Sequence, residues 1–155
     1  SGGAGIVTAD LLEDRGIRLA DLSPETMAAL KELFPPWMDP SHPVDLWPAV
    51  EQNGAARVYV GAAEALMKDP AVDTLVLETF AWEFGKTDFI AAIGGLKKKY
   101  GKPVAVWQVG RSPLNEQFRS IWEEAGLPVF EEISRCAAFL DAVKRHFVKK
   151  EDLRG

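Results

Sequence analysis

Apolar residues recur along this 155-residue chain in two rhythms: a helical spacing of three to four, and short unbroken runs. Ile6, Val7, Leu11 and Leu12 form a stripe that predicts a first helix from Ala4 to about Arg15, closed by Gly16 just past its end. A short strand is expected over Ile17 to Asp21. Ser23-Pro24-Glu25-Thr26 reads as the next helix start, with Ser23 as the cap and Pro24 in the first turn, and that helix runs to about Leu33. Further helices are expected over about Ala55 to Lys68, Thr87 to Tyr100, Asn115 to Ala125 and Ile133 to Lys149. Val72 to Phe80 and Val104 to Val109 are apolar runs without alternation, which suits strands covered on both faces. Val129-Phe130 begins a short edge strand. Between Phe34 and Pro48 stand Pro35, Pro36, Pro40, Pro43 and Pro48, a density that argues against helix or central strand. Trp37, Met38, Leu46 and Trp47 give this loop apolar anchors, so it is expected to pack.

Strands alternating with helices of this length imply a parallel sheet with helices on both sides. The predicted fold is α/β, a flavodoxin-like three-layer α/β/α sandwich. Four strands are visible, and a fifth belongs just before Ser1, so the first strand is read as missing or truncated. One domain spans 1–150 with a tail over 151–155, and the chain is expected to be a fragment of a larger protein. Binding in such folds lies at the carboxyl ends of the strands.

Composition narrows the partners. Eighteen basic and 23 acidic side chains leave a net charge of −5, which argues against nucleic acid or an anionic membrane as the main partner. Lys97-Lys98-Lys99 falls late in a predicted helix, where basic charge complements the dipole in water. Cys136 is the one cysteine, which excludes an internal disulfide, and it falls on an apolar helix face. No apolar stretch reaches the length of a membrane span and no secretory signal is visible, so a cytoplasmic setting is expected.

Candidate chemistry gathers at the start. Gly2-Gly3-Ala4-Gly5 directly precedes an amphipathic run, and small residues at a helix start let backbone N–H groups approach an anion. The helix dipole there favours negative charge by about 0.3–1 kcal/mol. A turn that simply needs glycine is the competing reading. Asp45 either orients donors around such a site or caps a helical turn after Pro43. Arg111, after the Val104 to Val109 strand, either reaches a phosphate bidentately or is a plain loop arginine. His42 has only Asp39 and Asp45 near it in sequence and reads as a packing or surface residue, as does His146. Phe80-Ala81-Trp82-Glu83-Phe84-Gly85 is unusually aromatic and either meets another domain or folds back over the sheet. No metal-ligand cluster or Ser/His/Asp constellation is present, and Gly2 to Gly5 lack dinucleotide-fingerprint spacing.

Several segments in order resemble the ADP-forming acyl-CoA synthetases and, more distantly, the carboxyl domain of the succinyl-CoA synthetase β chain. They are Gly2-Gly3-Ala4-Gly5 with Thr8 to Leu12, Gly16 to Leu19, Leu22 to Thr26, Leu30 to Leu33 with the prolines after it, Pro43-Val44-Asp45-Leu46, Ala65 to Asp73, Gly101 to Val104, and Glu124 to Val129. The resemblance covers Ser1 to about Val143. It implies a ligase coupling acyl-CoA, ADP and phosphate to free acid, CoA and ATP through a phosphohistidine on a neighbouring domain. For this domain it implies a supporting role: Gly2, Gly3, Ala4 and Gly5 would hold the phosphoryl group, with Pro43, Val44 and Asp45 beside it. The phosphohistidine segment, the CoA-binding domain and the ATP-grasp domain are not in this sequence. The resemblance therefore implies that this domain alone binds no cofactor, and that CoA, ADP or ATP, phosphate and Mg belong to an oligomeric parent enzyme. The alternative is a regulatory or assembly domain that keeps the fold without the chemistry. A carrier of a phosphorylated ligand such as FMN is a third reading, weakened by the absence of a hydroxyl-rich loop after the first strand.

Overall fold

The computed structural model describes residues 2–81 and 87–152, with side chains described as far as His146. Seven helices and three strands are present among the described residues. They are α1 (Gly2–Glu13), α2 (Pro24–Lys31), α3 (Trp47–Asn53), α4 (Ala55–Lys68), β1 (Leu75–Thr79), α5 (Asp88–Tyr100), β2 (Val104–Gln108), α6 (Asn115–Glu124), β3 (Val129–Phe130) and α7 (Ile133–Asp152). The strands pair in parallel in the order β1-β2-β3, with Leu75 opposite Val104 and Val106 opposite Val129.

Alternate residues of each strand point to opposite faces, and this sorts the core into layers. Leu75, Leu77, Val104 and Val106 meet Tyr59 and Met67 of α4, Phe89, Ile90 and Ile93 of α5, and Trp122 of α6. On the other face Ala105 and Val76 meet Leu12 of α1 and Cys136, Ala137 and Leu140 of α7. The three-layer α/β/α arrangement predicted from the sequence is therefore the one observed. A satellite cluster of Leu30, Leu33, Phe34, Ala49 and Val58 ties α2 and α3 to the outer side of α4.

Local chemistry explains most of the boundaries. Ser23 caps α2 by accepting the Thr26 N–H at 3.2 Å, with Pro24 following. Gly101 ends α5 in the left-handed region at φ +67°, a conformation that costs a residue with a Cβ more than it costs glycine. At Gly94 a Cβ would lie 2.5 Å from the Ala125 carbonyl oxygen, so only glycine lets α5 approach the end of α6 this closely.

Five expectations need correction. The glycines at 2 to 5 are not a loop before a helix; they are the first turn of α1 itself. Of the α1 stripe Leu12 reaches the core, whereas Ile6 and Val7 are 57% and 50% exposed and the other buried residue of the helix is Thr8. Ile17 to Asp21 forms no strand. The proline-rich segment ends inside helix α3, whose first residues are Trp47 and Pro48, because a missing N–H costs nothing in a first turn. Of that segment's expected anchors, Met38 and Leu46 pack, whereas Trp37 is 79% exposed and Trp47 is also exposed.

Candidate functional site

The helix start and the proline loop, far apart in sequence, meet in space. A Cβ on Gly2 would come within 3.1 Å of Asp45 Oδ2, and one on Gly5 within 3.3 Å of Pro43 Cβ. Two of the glycines are thus small because the 43–45 loop lies against them. Gly3 differs: a Cβ there would find nothing within 4 Å, and the residue is exposed. Ala4 is half-buried, and its carbonyl accepts the Thr8 hydroxyl at 2.9 Å.

The loop that meets α1 is held from several directions. The His42–Pro43 peptide is cis. Ser41 donates its hydroxyl to the Pro43 carbonyl at 2.8 Å and accepts the Asp45 N–H at 3.2 Å. Asp45 Oδ1 accepts the Trp47 N–H at 3.1 Å, at the entry to α3. One carboxylate oxygen of Asp45 serves the α3 entry, as the capping reading expected, and the other faces Gly2. His42 bonds the Ala20 carbonyl through Nε2 at 2.8 Å, so it braces the loop against the 17–22 segment. Val44 packs into the satellite cluster.

This junction lies at the carboxyl end of the sheet. The Trp47 ring packs on Phe80, the residue just past β1, with centroids 5.7 Å apart. Phe80 is thus turned toward α3; Trp82 to Gly85 of the aromatic run lie outside the described residues. Behind the junction runs a cleft of about 1020 Å³. Its walls come from α1, the 17–22 segment, loop 42–47, α4, β1 and the end of α7. Arg111 is exposed in the turn after β2 and does not line this cleft. The structure thus brings Gly2, Gly5, Pro43 and Asp45 together, leaves Gly3 open beside them, and sets Arg111 apart.

Two buried groups escaped the sequence reading. Asp69 is buried; its carboxylate accepts the Ser23 N–H at 2.8 Å and the Ala71 N–H at 2.9 Å. These bonds, the Ser23 N–H first, hold its carboxyl down at about 2. Asp69-Pro70 signalled a helix stop, and nothing local indicated that the side chain would reach back to residue 23. Tyr59 donates its hydroxyl to the Glu78 carbonyl at 3.4 Å, and burial pushes its pKa up to about 12. Cys136 is buried as expected, and desolvation raises its thiol to about 11. No group of three or more His, Cys, Asp or Glu that could hold a metal ion occurs among the described residues. Nor is any described helix long and apolar enough to cross a membrane.

These features define an α/β domain whose carboxyl edge carries a helix start and a proline loop packed together beside an open cleft. No family model matches the sequence. The chain is 31% identical over 131 residues to an ADP-forming acetate–CoA ligase II of Archaeoglobus fulgidus, covering 84% of this chain and 19% of that protein. It is 31% identical over 144 residues to the α subunit of the Pyrococcus furiosus ADP-forming acetate–CoA ligase II, covering 89% and 30% respectively. Among solved structures, a Pyrococcus horikoshii OT3 protein superposes over 92% of this chain and 33% of its own, with TM-score 0.77 and 28% identity. A dinucleotide-forming acetyl-coenzyme A synthetase 1 of Ca. Korarchaeum cryptofilum, solved with phosphate and ADP, superposes over 97% of this chain and 33% of its own. Its TM-score is 0.71 at 25% identity. The chain is a domain related to the ADP-forming acetyl-CoA synthetases, and it spans about a fifth to a third of the length of these relatives.

Proposed function

We propose that this domain forms one side of the phosphoryl-transfer site of an ADP-forming acyl-CoA synthetase, receiving a phosphohistidine presented by another domain. The observation that carries the reading is the convergence of Gly2 to Gly5 with Pro43, Val44 and Asp45 at the carboxyl end of the sheet. The first four N–H groups of a helix have no acceptor within it, so the α1 start offers donors fixed in place before charge arrives. Phosphoryl transfer asks a protein mostly for such positioning and charge stabilisation. Asp45 acts here as a positioning residue, holding the loop through Trp47. Arg111, exposed in the turn after β2 and apart from this junction, takes no part in this reading.

The overall reaction would be acyl-CoA, ADP and phosphate to acid, CoA and ATP. CoA, the nucleotide and Mg would be bound by the CoA-binding and ATP-grasp domains of the parent enzyme. The isolated domain would show no turnover, because it supplies neither nucleophile nor general base. The test is Gly3→Leu in the parental polypeptide. Open space around Gly3 leaves room for the side chain, which would cover the exposed donors. Loss of ATP formation with an unchanged melting temperature is expected; normal ATP formation would overturn the proposal.

A further inference from the structure

We infer that the amino-terminal edge of the sheet carries an anion site: a depression between the ends of α5 and α6 that takes a small, multiply charged oxyanion. It lies at the edge opposite the α1 start and the 43–45 loop, and nothing in it depends on what the α1 start binds.

The place is set by how three helices end. β2 begins at Val104, directly after Lys102 and Pro103. Lys102 Nζ donates to the Asp69 carbonyl at 2.6 Å and Lys97 Nζ to the Gly126 carbonyl at 2.5 Å, which ties the ends of α4, α5 and α6 together. Beside these bonds is a depression of about 310 Å³, toward the small end of the range that suits small-molecule ligands. It is lined by Gly94, Gly101 and Gly126, whose missing side chains leave the space, and by Lys97, Lys98 and Lys102. Gly101 and Gly126 turn at φ +67° and +77°, and a Cβ on either would meet nothing within 4 Å.

The charge balance decides what the depression suits. None of the residues lining it is acidic. The three helix ends contribute about half a negative charge each, so they offset about half of the three ammonium charges. The remainder is a local positive surplus on a chain whose net charge is −5. Neighbouring lysines that have a carboxylate are drawn elsewhere: Lys99 and Lys68 lie 3.0 Å and 3.6 Å from Glu64.

Two of the ammoniums are in position before any ligand arrives. An ammonium has three N–H donors; Lys97 and Lys102 each spend one on a carbonyl and keep two. A side chain already held loses less freedom on binding. Lys98, exposed in the last turn of α5, adds the third charge. Lysine acts as a point charge and not as a planar fork. The arrangement therefore favours charge spread over several oxygens, as in a diphosphate or a tricarboxylate, over a lone carboxylate.

The experiment titrates the chain with pyrophosphate and, separately, with citrate at low salt. Backbone amide shifts are followed by NMR at Gly101, Lys102 and Gly126, and at Gly3 and Ala4. Saturable shifts are expected at the first three, and the tighter of the two anions tells whether phosphate or carboxylate is the preferred group. Lys98→Met is expected to weaken that binding by about fivefold or more, through one charge lost at contact distance. Lys98→Arg should hold it within about twofold, because the charge is kept. Lys99→Met removes the same charge one residue along and should change the affinity by less than about twofold. Lys98 is not one of the two tied lysines, so its replacement leaves both carbonyl bonds in place. Equal weakening by Lys98→Met and Lys99→Met would overturn the inference, since general charge would then explain the binding. Shifts confined to Gly3 and Ala4, or no saturable shift with either anion, would overturn it as well.

Discussion

β1 and β2 are five-residue neighbours in one sheet, yet they sit in different surroundings. β2 is paired on both sides, and Val104, Ala105, Val106 and Gln108 are all buried. Among the described residues β1 pairs with β2 alone, and Val76 and Glu78 are half-exposed beside the cleft. Around β2 the helices α5, α6 and α7 close over both faces of the sheet, whereas β1, α1 and the 17–22 segment stand around the cleft. Sequence pattern specifies where an element lies; neighbours decide whether it closes into a sheet.

The sharpest test of this contrast is a pair of truncations. Trp122 is fully buried and packs edge-on against Phe89 at 5.9 Å. Trp122→Ala is expected to lower unfolding free energy by about 3–5 kcal/mol. Val76→Ala should cost below about 1 kcal/mol, because its side chain is only partly removed from water. Denaturant unfolding measures both, and equal losses would break the comparison.

A smaller effect is expected at the α5–α6 approach. Gly94→Ala drives a methyl into the Ala125 carbonyl and should cost about 1–3 kcal/mol, despite alanine's better helix propensity. Gly3→Ala, in open space, should be neutral or slightly stabilising in the same denaturant experiment.

The last prediction concerns acid and the β1 half. The Asp69 carboxyl is held below its ordinary value of 3.8, at about 2, by bonds from Ser23, Ala71 and Thr26. A depressed folded value adds stability that is present above pH 4 and disappears as pH falls from about 4 toward 2. Asp69→Asn should flatten that part of the stability–pH curve and weaken the α2 start at neutral pH by about 1–3 kcal/mol. If wild type and variant lose stability in parallel between pH 4 and 2, Asp69 is not the group responsible.

Much of the layered fold was legible in the residues. Ser23-Pro24, Gly101 and the apolar runs at 75–79 and 104–108 carry their own local instructions, and these elements lie within a few residues of their expected places. The elements that differed depend on partners. Ile6, Val7, Leu11 and Leu12 share one apolar stripe, but how much of a stripe is buried is set by what packs on it, and here Leu12 turns inward with Thr8 while Ile6 and Val7 stay exposed. Ile17 to Asp21 has strand composition without a strand beside it. Helix α3 hid behind prolines because Pro48 falls at the one part of a helix that tolerates it. At the site, Gly2, Gly5, Pro43 and Asp45 were named as one cluster and are one. What the sequence withheld was the role of the glycines: two of the three make room for the loop, and only Gly3 is open.

Asp45 has one oxygen on the Trp47 amide and the other against Gly2. The α1 start is therefore two-sided: a carboxylate lies along it at Gly2, while the side at Gly3 is open. An anion that settles on the open side has a like charge for a neighbour, so what arrives there is chosen by fit as much as by charge.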